Sequence, residues 1–213
     1  MRTHRLLAFA ALSALTLGLS SSPAVFAKDK PKPAAKLGKA APDFELTDYF
    51  GKKHKLSTYT KAGKVVVLEW FNPGCPFVVK HHKHNRTMAK TYAKFLKGKK
   101  VVWLAINSGA KGKQGHAPKL NKKRIKDWKI KYPLLQDKAG KVGRLYGAKR
   151  TPHMYVIDAK GVLRYRGAID NNPHHKTPGK VNYVDHALTA VLAGKKVKAA
   201  HTKAYGCSVK YGS

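Results

Sequence analysis

Cys75 stands where a thiol can become reactive. An apolar run, Val65-Val66-Val67-Leu68-Glu69-Trp70-Phe71, breaks at Asn72-Pro73-Gly74 and delivers the cysteine to the start of an expected helix. Unpaired backbone N–H groups and a partial positive charge at a helix start favour thiolate over thiol. Pro76 suits the first helical position, where its missing N–H costs nothing. A buried, inert cysteine that merely fills space is the plain alternative for any single thiol, and the flanking residues argue against it here.

The second cysteine, Cys207, lies in Tyr205-Gly206-Cys207-Ser208-Val209-Lys210-Tyr211, beyond the last expected helix. Gly206 would let this tail approach another backbone closely. Two cysteines cannot build a disulfide scaffold, so their chemistry is the more informative expectation. A third point of interest is Thr151-Pro152, directly before an apolar strand. Pro152 cannot donate a ladder hydrogen bond and belongs at the strand's first residue.

These residues must be positioned by a domain, and the chain is long enough for one. Its 213 residues with 43% hydrophobic content suit a single core with extensions. Arg2 and Arg5, an apolar stretch from Leu6 to Leu19, and Ala24-Val25-Phe26-Ala27 read as an export signal over residues 1–27, which predicts a mature chain beginning at Lys28. No later stretch has the roughly 20 apolar residues that a membrane span needs. The expected location is therefore outside the cytoplasm, periplasmic or extracellular. Residues 28–39, rich in Lys, Pro and Ala, read as an extended tether. The domain is expected over 40–194, with a tail over 195–213.

The charge is extreme, 44 Lys+Arg against 10 Asp+Glu for a net +34. The lysines are scattered and show neither zinc-finger spacing nor an aromatic-basic RNA-binding signature, so nucleic acid is not the expected partner. Loose contact with an anionic envelope surface is the expectation that charge supports.

Within the domain, Phe44–Thr47 and His54–Leu56 read as short strands, and Val65–Phe71 as a buried parallel strand. Pro76–Leu96 reads as one helix, Val101–Ile106 as another buried strand, and Lys119–Ile130 as a helix. Tyr132–Leu135 is a short strand and Val142–Tyr146 a helical turn. Met154–Asp158 and Val162–Arg166 form a hairpin about Lys160-Gly161, and Val181–Leu192 closes the domain as a helix. This alternation implies an α/β fold with a central mixed sheet covered by helices on both faces.

The order of these elements, together with Ala41-Pro42-Asp43-Phe44, the strand-to-Cys75 junction, Asp137-Lys138-Ala139-Gly140 before Tyr146-Gly147, and Thr151-Pro152 before Tyr-Val-Ile-Asp, resembles the redoxin branch of the thioredoxin-fold superfamily. That branch holds peroxiredoxins and exported thiol-disulfide oxidoreductases, and the likeness spans about Ala40 to Leu192. It implies a thioredoxin-like fold, a nucleophilic Cys75, and a cis proline, Pro152, facing it. A cis bond there would turn the Thr151 backbone toward a bound substrate. The pattern departs from its relatives in two ways. A dithiol oxidoreductase has a second cysteine where this chain has Val78. A peroxiredoxin carries Thr or Ser where this chain has Asn72, and a proline where it has Leu68.

The expected activity is that of a thiol oxidoreductase acting on disulfides or peroxides. Cys75 would attack, Cys207 would be either its resolving thiol, a free tail thiol or half of a permanent structural disulfide, Thr151, Pro152 and Asn72 would shape the site, and an unidentified thiol reductant would close the cycle. No cofactor and no metal is expected. A rival class rests on His81, His82, His84, His153, His174 and His175, since thiolate and imidazole suit copper or zinc. Cys75 and His82 would stand about 10 Å apart along a rigid helix, too far to share an ion. Most of these histidines are therefore expected to be solvated. A non-catalytic cationic binder of the envelope is the remaining alternative.

Overall fold

The computed structural model describes residues 35–212. The expected export signal, and residues 28–34 of the expected tether, lie outside the described residues. The tether expectation fails from Ala35 onward. Ala35 is buried and donates its N–H to the Leu145 carbonyl, and Gly38 donates to Leu163, so the packed domain begins earlier than Ala40.

A seven-stranded mixed sheet organises the chain. Its strands are β1 (Glu45–Asp48), β2 (Lys53–Lys55), β3 (Val65–Trp70), β4 (Val101–Asn107), β5 (Leu134–Gln136), β7 (Met154–Ile157) and β8 (Leu163–Gly167), in the spatial order β2-β1-β5-β4-β3-β7-β8. β3, β4 and β5 run parallel, while β1 and β2 on one side and β7 and β8 on the other pair antiparallel. A separate two-stranded ribbon joins β6 (Arg150–Thr151) to β9 (Cys207–Ser208).

The continuous apolar run of β3 is explained by burial on both faces. Successive side chains alternate, so Val65, Val67 and Phe71 enter one core and Val66, Leu68 and Trp70 the other. The first core is closed by α3 (Thr87–Leu96), α4 (Pro118–Asp127) and α6 (Tyr183–Leu192), the second by α1 (Leu56–Lys61) and α5 (Lys141–Tyr146). Leu56, expected to end a strand, instead opens α1 and plugs the second core.

The single helix expected over Pro76–Leu96 is broken. α2 covers only Pro76–Val79, a π-helical turn follows over Lys80–His84, and Arg86 takes a left-handed conformation (φ 52°) before α3 begins. The widened turn directs three consecutive polar residues inward: Lys80, His81 and His82 are all buried. Such single π turns recur at functional sites. Here the cause is visible in their partners, two carboxylates and two carbonyls that a regular helix face would not meet together.

The tail is packed along the domain. Arg166 donates to Ala200, Thr202 Oγ1 accepts from the Ala168 N–H, and Gly167 (φ 152°) leaves room for Thr202 where a Cβ would come within 2.1 Å of its hydroxyl. The chain then crosses to β6, after which Val209 donates to Lys149 and Ala110 donates to Lys210. Among the described residues, no helix is long and apolar enough to cross a membrane.

Candidate active site

Cys75 caps α2 and is fully buried. Its N–H donates to the Asn72 carbonyl at 3.1 Å, and its carbonyl accepts from Val79, so the turn 72–75 and the helix start hold it from both sides. Asn72 shapes that turn: its Oδ1 accepts from the Gly74 N–H at 2.9 Å. Its amide donates to the Gln114 backbone and side-chain oxygens, each at 3.3 Å. Both amide donations therefore tie the turn to the loop after β4. Gln114 closes that clamp through Nε2 to the Gly74 carbonyl, a role with no signal in the local sequence.

The Thr151–Pro152 bond is cis, as the family resemblance implied. The Thr151 carbonyl accepts the Cys75 S–H at 3.0 Å. The free edge expected to face a substrate is occupied, because Thr151 pairs in register with Cys207 and Arg150 with Ser208. The tail thus lies where an incoming extended segment would lie, and it brings the second thiol to the first. No disulfide joins the two cysteines in this structure. Burial pushes the Cys207 thiol up to about 12, and hydrogen bonding and charge from the Cys75 sulfur push the same way; the Lys210 and Arg150 charges oppose it.

Two aromatic anchors flank Cys207. Tyr205 donates its hydroxyl to Asp170 and lies 2.8 Å from His81 Nε2. Tyr211 donates to the Ala148 carbonyl at 2.8 Å and stacks under the Arg144 guanidinium, 4.7 Å from the ring centre. Gly140 and Gly143 make the seat for Tyr211, since a Cβ on either would approach its ring or hydroxyl to within 2.6 and 2.4 Å.

The histidines do not form the solvated cluster that was expected. His82 Nε2 meets Glu69 Oε1 at 2.6 Å, and Glu69 Oε2 accepts from Trp103 Nε1 and Tyr132 hydroxyl, each at 3.0 Å. Glu69, fully buried in the apolar run of β3, is therefore a satisfied carboxylate. Burial lowers His81 to about 4, against the raising effect of Asp170. Lys80 Nζ donates to the Asn172 and His174 carbonyls, each at 2.8 Å, and its pKa is lowered by burial although Asp170 opposes this. His153 is held near 3 by burial and by the charges of Arg166, His201 and Lys149. Only His84, His174 and His175 of the six are exposed. Among the described residues, no group of three or more His, Cys, Asp or Glu is arranged to hold a metal ion.

A buried thiol at a strand-to-helix junction, set against a cis proline on a mixed sheet, defines a thiol oxidoreductase of the redoxin type on a thioredoxin-like fold. The chain belongs to the AhpC/TSA family, whose profile matches residues 37–166. It is 28% identical over 134 residues to the thiol-disulfide oxidoreductase ResA of Geobacillus thermodenitrificans, covering 62% of this chain and 70% of that one. It is 35% identical over 138 residues to the selenocysteine-containing peroxiredoxin PrxU of Peptoclostridium acidaminophilum, covering 60% and 65%. An uncharacterized conserved protein of Geobacillus kaustophilus superposes with a TM-score of 0.72 at 29% identity, over 83% of this chain and 93% of that one. The hypothetical protein SMc02350 of Sinorhizobium meliloti gives 0.70 at 27% identity, over 84% and 96%.

Proposed function

We propose that this chain is an exported two-cysteine thiol oxidoreductase in which Cys75 is the nucleophile and Cys207 the resolving thiol. The observation that carries the reading is the register of β6 and β9, which sets Cys207 opposite Thr151 while the Thr151 carbonyl holds Cys75. Opposed residues of an antiparallel pair have Cα atoms about 4.5–5.5 Å apart. The Thr151–Cys207 pairing therefore keeps the tail thiol at the wall of the Cys75 site, where the two cysteine side chains meet by a hydrogen bond.

The complete burial of Cys75 supports a small oxidant, a hydroperoxide, over a folded disulfide substrate. The Cys75 thiolate attacks the distal peroxide oxygen, the O–O bond breaks, and an alcohol or water leaves with a proton, giving Cys75 sulfenic acid. The Cys207 sulfur then attacks the Cys75 sulfur, water leaves, and a Cys75–Cys207 disulfide forms. An external dithiol restores both thiols. Disulfide exchange follows the same two steps with a leaving thiol in place of the alcohol, and requires the tail to lift first. The leader pattern over residues 1–27 supports delivery outside the cytoplasm, where the cationic surface would meet anionic envelope polymers.

Treating the reduced protein with one equivalent of hydrogen peroxide and mapping peptides without reductant tests the reading. A Cys75–Cys207 peptide is expected, with Cys75→Ser inactive and Cys207→Ser accumulating sulfenic acid that dimedone traps. Absence of that link, with normal turnover in Cys207→Ser, overturns the role of Cys207.

A further inference from the structure

A cleft of about 510 Å³ opens beside the tail thiol. One wall is formed by Asn171 and Pro173, the other by the tail segment ending at Gly206, and Arg150, the strand partner of Ser208, also lines the cleft. Arg150 and Lys203 are exposed, and neither is paired with a carboxylate among the described residues. Arg150 Nη1 lies 3.5 Å from the Gly206 carbonyl, and its charge, like that of Lys210, is felt at the Cys207 thiol. The carboxylate that touches the cleft, Asp170, is 1% exposed. Its oxygens are spent on the Tyr205 hydroxyl and the N–H groups of Asn172 and Gly179, so it offers no negative face.

We propose that this cleft docks an acidic segment of the protein dithiol that reduces the enzyme, with Arg150 and Lys203 recognising carboxylates and the partner's thiol delivered to the Cys207 sulfur. This rests on the reading of Cys207 as the resolving thiol. Cys207 is the partly exposed sulfur of the pair and Cys75 the buried one, which fixes the direction of attack. The partner's first thiolate bonds to Cys207, and Cys75 leaves with the electron pair and takes a proton. The partner's second thiolate then displaces Cys207, leaving the partner disulfide and two enzyme thiols. Unpaired guanidinium and ammonium groups at the rim of a cleft select carboxylates and speed encounter, an effect that falls with salt.

The experiment uses the oxidised full-length mature chain and two synthetic dithiol peptides, Cys-Gly-Pro-Cys flanked by three glutamates or by three lysines. Reduction rates are normalised to those with uncharged dithiothreitol. At about 20 mM salt the acidic peptide is expected to act at least about tenfold faster than the basic one, and most of that advantage should fade above the range where the Debye length drops below roughly 10 Å. Arg150→Glu with Lys203→Glu should abolish the preference. Lys160→Glu with Lys195→Glu, the same charge change on exposed residues outside this cleft, should retain most of it. Equal loss in both double variants, or retention in the first, overturns the cleft as the recognition site. If peroxide yields no Cys75–Cys207 disulfide to reduce, the resolving role fails and this inference fails with it. A disulfide reduced with no charge preference overturns only the inference.

Discussion

Gly206 lies so close to Thr151 that a Cβ on it would come within 2.2 Å of the Thr151 carbonyl oxygen, the same oxygen that accepts the Cys75 S–H. Gly206 also has a φ of 111°, where other residues are strained. Gly206→Ala must therefore push the tail off β6 without touching the sheet. The expected result is a Cys75–Cys207 disulfide that forms about a hundredfold more slowly, the scale on which a misplacement of about 1 Å acts. The thermal midpoint should fall only a few degrees. Quenched-flow oxidation followed by mass spectrometry measures the first, and calorimetry the second.

The Cys207 thiol carries a prediction with a definite sign. Burial raises it to about 12, and its two further raising causes both come from Cys75. Cys75→Ala removes those two while leaving Lys210 and Arg150 in place, so Cys207 should be alkylated at a lower pH in that variant than in the parent. Between the ordinary thiol value of 9.0 and about 12 the folded chain keeps a proton that the unfolded chain has lost, so this group's contribution to stability declines as pH rises through that window. Cys207→Ser should flatten that part of the stability curve, read as the difference in urea midpoint between the two proteins.

What was legible in the sequence follows burial and periodicity. The run Val65–Phe71 could be read because both faces of β3 are covered, and the Cys75-Pro76 junction because cap and first-turn preferences are local. The break at Asn85–Arg86 was not legible. It serves contacts of Lys80, His81 and His82 with Asp170 and Glu69, which no local pattern announces. β9 is two residues long, too short for any period, and its place depends on Tyr205 finding Asp170 and on Tyr211 finding Gly140 and Gly143. Asn72 could be named as a site residue, but its partner Gln114 lies in a loop whose course only the fold defines.

Glu69 gives a stability prediction. Its two oxygens satisfy His82, Trp103 and Tyr132 inside a core that excludes water, and the same contact pushes the Tyr132 hydroxyl well above its ordinary range, burial being the larger cause. Glu69→Leu leaves three buried donors without an acceptor and should cost roughly 3–5 kcal/mol, the scale for breaking a buried pair. Glu69→Gln keeps an acceptor for two of them and should cost less. Chemical denaturation of both variants checks the order, and an equal cost would show that the carboxylate charge, and not the acceptor geometry, dominates.

Acid stability turns on His81 and His153. Burial is the main cause that lowers each, to about 4 and about 3, from an ordinary 6.5. Both are neutral in the folded chain where an unfolded chain would already bind protons. Their share of stability is therefore complete above about pH 6.5 and is lost as pH falls toward 4 and then 3, at most about 1.4 kcal/mol per pH unit for each group. His81 also touches Tyr205, and the proton it gains must sit on Nδ1, a buried nitrogen with no hydrogen-bond partner, so the movement that solvates it would loosen the anchor of the tail before the core gives way. Two measurements follow from this. The urea midpoint should fall steeply between pH 6.5 and 4, with His153→Gln and His81→Gln each removing part of the slope. Over the same range Cys207 should become more accessible to a methanethiosulfonate probe, which reacts in acid, and this gain should vanish in His81→Gln. A pH-independent Cys207 exposure in the parent would separate the histidine from the tail and leave it a packing residue alone.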